Sequence, residues 1–120
     1  MTTVDRALGG RCPAMLKIDV EGFETEVLKG ATASLNSTTL RVLIIELGGM
    51  GGYYGFDEET VYASMKGHGF EDCTYDPFER SLVPRGSERS SPNSIFVRDL
   101  DFVTRRVTTA PPFTVQGVSV

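Results

Sequence analysis

Four carboxylates and two tyrosines carry most of the chemistry this sequence could perform. Asp19, Glu21 and Glu24 gather around Gly22 in Leu16-Lys17-Ile18-Asp19-Val20-Glu21-Gly22-Phe23-Glu24. Glu46 closes a second apolar run, Val42-Leu43-Ile44-Ile45, and Tyr53-Tyr54 follow in a glycine-rich stretch. Carboxylates grouped in this way can take a proton, orient a hydroxyl, or offer hard oxygen ligands to a divalent cation. Asp19, Glu21 and Glu46 make an incomplete ligand set, so no metal is assigned. A plainer account stands beside the catalytic one. Glu21, Glu24 and Glu26 sit where negative charge suits the start of a helix, and Gly22 supplies a tight turn.

The elements that must position these groups follow from periodicity. Leu16, Ile18 and Val20 alternate as in a strand spanning 15–20, whereas Val27, Leu28, Ala31 and Leu35 share one face of a helix spanning 23–35. Asn36-Ser37-Thr38-Thr39 reads as a loop. The strand at 40–47 has an unbroken apolar run, as expected of burial on both faces of a parallel sheet. Strand, helix and strand make a βαβ unit, so the fold class is α/β. The acids then lie at the carboxyl ends of parallel strands, where open α/β sheets place their ligands.

Gly48-Gly49-Met50-Gly51-Gly52-Tyr53-Tyr54-Gly55 is tempting as a phosphate cradle. Its register is poor, because Met50 and Tyr54 stand where the glycine patterns need glycine. It reads instead as a mobile loop over the sheet edge, a substrate lid with Tyr53 and Tyr54 as contacts, or as a plain hinge. Asp57-Glu58-Glu59-Thr60 starts a further helix with Val61, Tyr62 and Met65 inward, ended by Gly67 and Gly69. His68, the single histidine, reads as an exposed turn residue.

Phe70–Tyr75 and Ser94–Val97 are expected to pair as an antiparallel hairpin at the sheet edge. Between them, 79–93 reads as a long exposed loop containing Leu82-Val83-Pro84-Arg85-Gly86-Ser87, a thrombin recognition sequence that an exposed loop would offer for cleavage. At the amino terminus, Asp5–Leu8 forms one helical turn stopped by Gly9-Gly10. Residues 99–120 show no clear period and read as a loosely ordered tail.

Composition narrows the function classes. At 120 residues the chain is one domain at most. Its net charge of −4 argues against nucleic acid or an anionic membrane as partner. No apolar run approaches the roughly 20 residues of a membrane helix, and the amino terminus lacks a signal peptide's regions, so a cytoplasmic location is expected. Cys12 and Cys73 have no metal or redox spacing and read as reduced.

The spelling at 16–31, continued by Leu43-Ile44-Ile45-Glu46, closely resembles the FkbM family of S-adenosylmethionine-dependent methyltransferases. Thr3-Val4-Asp5 is similar to the end of that family's hydrophobic-Thr-Leu-Asp segment, and Asn93–Arg98 to its closing strand. The resemblance implies a catalytic set of Asp19, Glu21, Glu24 and Glu46. Asp19 would be base or acceptor-orienting group, with Glu21 and Glu24 in support and Glu46 beside them. It also implies S-adenosylmethionine against Asp19 and Val20, and a hydroxyl acceptor on a small molecule, glycan or lipid.

In that family the cofactor's glycine loop and ribose-binding acid precede the segment where this chain begins. Residues 1–98 therefore read as the carboxyl-terminal half of the domain, a partial Rossmann-like methyltransferase sheet with βαβ unit, further helix and edge hairpin. A complementary amino-terminal half or a second copy is the implied partner. Two other functions remain open: a noncatalytic interaction module, and a nucleotide-binding α/β domain using the loop at 48–55.

Overall fold

The computed structural model describes residues 1–86 and 92–119. In chain order its elements are α1 (Val4–Leu8), β1 (Met15–Ile18), α2 (Glu24–Lys29), α3 (Thr32–Asn36), β2 (Val42–Glu46), a 3-10 turn (Met50–Tyr54), α4 (Glu58–Gly67), β3 (Glu71–Asp76), β4 (Ser81–Pro84), β5 (Asn93–Val97), α5 (Leu100–Thr109), and the short strands β6 (Thr114–Val115) and β7 (Val118–Ser119). Five strands form a mixed sheet in the order β1-β2-β5-β3-β4. β1 and β2 are parallel, with Met15 opposite Val42 and Ile18 opposite Ile45. The remaining neighbours are antiparallel.

The core explains this arrangement. Leu43 and Ile45 are fully buried with Ile18, Leu28, Ala31, Leu35, Leu40, Val61, Met65 and Phe96, so helices α2 to α4 lie on one face of the sheet. On the other face α5 covers Cys73, Leu82 and Val97 with Val103. Burial of such side chains stabilises by about 1.5–3 kcal/mol each, which is why β2 carries so apolar a run. Burial also pushes the Cys73 thiol up to about 11, far from reactive. Among the described residues no helix is long and apolar enough to cross a membrane.

Four sequence expectations require correction. The single helix expected at 23–35 is two short helices, α2 and α3, separated at Gly30-Ala31. The break brings α1 close: a Cβ on Gly30 would lie 3.1 Å from Thr3 Cβ. Next, β3 and β5 are antiparallel neighbours, as Glu71 opposite Val97 shows, but they are not a hairpin. The hairpin is β3–β4, and β5 enters between β2 and β3. Ser81–Pro84 is thus a strand with Leu82 buried, not part of an exposed loop. Ser87 and the rest of 87–91 lie outside the described residues. Lastly, the expected tail begins with a helix of ten residues. Asp99 caps it by accepting the N–H of Phe102, and Leu100, Val103 and Val107 turn to the sheet.

Two remote charges hold the five-residue α3. At its amino end, Asp5 accepts the N–H groups of Ala33 and Ser34 and the Ser34 hydroxyl, at 2.7, 3.0 and 2.6 Å. The Ser34 hydroxyl contributes most to holding the Asp5 carboxyl below its ordinary range. At its carboxyl end, Arg98 donates to the carbonyls of Leu35 and Ser37, and also to His68 at the end of α4. Its guanidinium stacks 4.1 Å from the Phe70 ring centroid. Opposite charges at opposite helix ends satisfy both the unpaired backbone groups and the macrodipole.

Arg98→Ala orphans three part-buried carbonyls and should lower stability by about 2–4 kcal/mol. Arg98→Lys should recover part of the loss; urea denaturation with an unchanged slope is the measurement. Thrombin provides a second test. The Arg85 side chain is only 7% exposed, and the residue's backbone N–H donates to the Asp72 carbonyl at 2.8 Å. The folded chain should therefore resist thrombin at Arg85–Gly86 and be cut there only once denatured; cleavage at equal rates in both states would refute the packing.

Candidate functional site

The site forms where β1 and β2 end side by side. After Ile18 the chain leaves the sheet through Asp19 and Val20, then takes a turn that few sequences can make. Glu21 has φ +51° and Gly22 φ +103°, both in the left-handed region. Glycine at 22 is dictated by space as well. A Cβ there would lie 2.8 Å from the Met50 carbonyl oxygen and 3.0 Å from Tyr54 Cδ2. The acidic turn therefore presses directly on the glycine-rich loop, and neither can be placed without the other.

Glu21, Gly22, Glu24, Glu46, Gly48, Met50 and Pro92 line a cleft of about 210 Å³. Asp19 stands at its edge, its carboxylate 2.6 Å from Lys17 Nζ and within hydrogen-bonding reach of Glu46. This proximity separates the two acids. The Lys17 ammonium first, and the hydrogen bond with Glu46 second, hold Asp19 below its ordinary carboxylate range. The same bond with Asp19 raises Glu46, and the charge on Glu21 adds to that rise. One carboxylate stays ionised while its neighbour keeps the shared proton to higher pH.

Of the residues picked from sequence, Asp19, Glu21 and Glu46 come together. Glu24 also lines the cleft, but it is only 5% exposed and its Oε1 accepts the Gly22 N–H at 3.1 Å. It holds the turn. Val20 lies exposed beside it. Tyr54 packs on Phe23, ring centroids 4.3 Å apart, while Tyr53 is 83% exposed at the apex of the loop. Among the described residues no group of three or more His, Cys, Asp or Glu side chains is arranged to hold a metal ion.

Two contributors were not picked out. Phe23 is the ring on which Tyr54 rests. Glu58, read only as a helix-start acid, accepts the Gly49 N–H at 2.6 Å and pins the loop. No local pattern shows that a first-turn carboxylate reaches back nine residues. That bond also bears on the nucleotide reading: where a phosphate would meet a loop N–H, a carboxylate already sits.

The titration of the pair is directly observable. By carboxyl-carbon NMR, Asp19 should titrate below the ordinary aspartate range and Glu46 above the ordinary glutamate range. Lys17→Met should move Asp19 upward. The sign for stability follows: the Asp19 contribution is lost as pH falls through its lowered folded value, whereas that of Glu46 is lost as pH rises through its raised one. Coincident, ordinary titrations would show that the acids do not interact.

The family model of the methyltransferase FkbM domain matches residues 2–75, a span that runs from α1 through both acid-bearing strands and the glycine-rich loop into β3. No curated protein and no solved structure gives a match. With more than half of its length matched, the chain belongs to the FkbM methyltransferase domain family.

Proposed function

We propose that this chain supplies the acceptor side of an S-adenosylmethionine-dependent O-methyltransferase. The observation that carries the reading is the unequal carboxylate pair, Asp19 and Glu46, at the carboxyl ends of adjacent parallel strands. Asp19, kept ionised by Lys17, orients the acceptor hydroxyl by accepting its hydrogen bond. Glu46, the stronger base of the two, takes the proton as the oxygen gains its methyl group. The carboxylates of Glu21 and Glu24 make the cleft wall negative, which favours uncharged or cationic acceptors over phosphates and carboxylates. Polyols and sugars suit such a wall, since their hydroxyls donate to it. Tyr53, Tyr54 and Phe23 provide an apolar rim against which an acceptor ring can lie.

S-adenosylmethionine supplies an electrophilic sulfonium methyl, and a negative wall suits its positive charge. The residues present fit only that end of it. A cleft of about 210 Å³ falls below the roughly 300 Å³ at which pockets begin to enclose drug-sized ligands. We therefore assign the adenosine-binding part, and the glycine loop that goes with it, to an amino-terminal half outside these 120 residues. The sheet order β1-β2-β5-β3-β4, with β5 reversed, supports reading this as the carboxyl-terminal half of a Rossmann-like methyltransferase sheet.

Calorimetric titration of S-adenosylmethionine into the folded 120-residue chain should give no more than weak binding, and tight binding would remove the two-half reading. In the enzyme carrying both halves, Asp19→Asn and Glu46→Gln should each lower methyl transfer by about 10²–10⁴-fold with cofactor affinity unchanged. The rate should rise with pH as Glu46 loses its proton. Wild-type turnover in both variants would remove the pair from the mechanism.

A further inference from the structure

The 3-10 turn Met50–Tyr54 hangs between two left-handed glycines, Gly49 at φ +82° and Gly55 at φ +75°, and nothing lies within 4 Å of where a Cβ would stand on either. Packing therefore does not fix the ends of this loop. Its own backbone closes it into a unit: Gly52 N–H donates to the Gly49 carbonyl at 3.3 Å, and Phe56 N–H to the Gly51 carbonyl at 2.9 Å. The unit meets the acid turn through Met50 against Gly22 and Tyr54 on Phe23. On the other side its anchor is Glu58, whose Oε1 accepts the Gly49 N–H at 2.6 Å. A hydrogen bond to an ionised acceptor is roughly twice as strong as a neutral one. Glu58 stands on α4, which Val61 and Met65 root in the main core. It is not spent on starting that helix, because Asp57 already caps it by accepting the Glu59 N–H at 3.0 Å.

We propose that Glu58 is a positioning residue for the cleft: by holding Gly49 it keeps Met50 against Gly22, and so fixes the wall beside which Asp19 and Glu46 meet an acceptor. The chain of contacts is short. Gly48 and Met50, on either side of Gly49, both line the cleft, and Gly48 lies two residues beyond Glu46. A shift of Gly49 therefore moves the wall and releases the turn that carries Glu21. Glu58 is not one of the residues lining the cleft, so it acts through the loop. Its role at the acceptor rests on the methyltransferase reading; its hold on the loop does not. Two kinds of role make opposite demands on this side chain. Stabilising the helix start needs a negative charge. Holding Gly49 needs an acceptor oxygen at the full length of the side chain, charged or not.

The test separates charge from reach on the 120-residue chain, without cofactor or acceptor. Glu58→Asp keeps the charge and falls one methylene short, whereas Glu58→Gln keeps the reach and loses the charge. Glu58→Asp should speed hydrogen exchange of the Gly49 amide about tenfold or more and loosen Tyr54 from Phe23, seen as lost ring-current shifts in NMR spectra. It should also lower Glu46 toward the ordinary glutamate range, as the wall opens and Glu21 moves off. Glu58→Gln should keep all three near wild type. Exchange at Leu43 and Ile45 in β2 should be unchanged in both variants, which shows the fold intact. In the enzyme carrying both halves, Glu58→Asp should raise the acceptor KM about tenfold with kcat within about threefold, and Glu58→Gln should restore it. Unchanged exchange at Gly49 in Glu58→Asp overturns the proposal, as does a Glu58→Gln chain as loose as Glu58→Asp. A loosened loop with wild-type acceptor kinetics overturns it too. A wild-type enzyme that transfers no methyl group removes the methyltransferase reading alone, because the exchange measurements still decide what holds the loop.

Discussion

The cleft depends on one tight contact, that between Gly22 and the backbone of Met50. No side chain fits between them, since a Cβ would come within 2.8 Å of the Met50 carbonyl oxygen. The cleft is arranged around that point. The turn that throws Asp19 and Glu21 outward stands on one side, and the loop that bears the tyrosines stands on the other. Glu24 fixes the turn from within by accepting the Gly22 N–H, and Glu58 fixes the loop by accepting that of Gly49. Glu24, one of the four acids picked out for chemistry, is thus spent on geometry, while Asp19 and Glu46 meet at the strand ends with Glu21 beside them.

That division of labour follows from solvation. Glu24 is buried, and a buried carboxylate persists only where a donor satisfies it. Asp19 is exposed and Glu46 only half-buried at the cleft, so they can approach one another at modest cost while Lys17 favours ionisation of one. The ionisation of Asp19 is thus set by its neighbours, whereas Glu24 is committed to the Gly22 N–H.

Much of this was legible from the sequence, and the limits have physical causes. The β1–α2–β2 unit follows from period changes that depend only on neighbouring residues. The acids of the turn stood out because they cluster around a glycine at a strand end, where helix-start charge and a tight turn were the plainer account. The break at Gly30-Ala31 was missed because it depends on Thr3 and Asp5, far away in the chain. β4 was missed because Arg and Pro surround it. Its burial comes from Leu82 under α5, a helix whose own signal was present in Asp99 and the spacing of Leu100, Val103 and Val107 but is short and weak. Glu58 was read correctly as a helix-start acid, and its second bond is purely tertiary.

The clamping of α3 from both chain ends also shapes how the molecule is made. Asp5 reaches it across 28 and 29 residues, and Arg98 across 61 and 63. A helix this short has no stability of its own. During synthesis, the segment bearing the cleft acids emerges with α3 held at one end only. Contacts of such long sequence separation form slowly, because loop closure must precede any gain. Until Arg98 leaves the ribosome, β2 also lacks β5, its neighbour in the sheet. The growing chain thus passes through a state with the apolar β2 uncovered along one side, the stage at which chaperones would matter most to its survival.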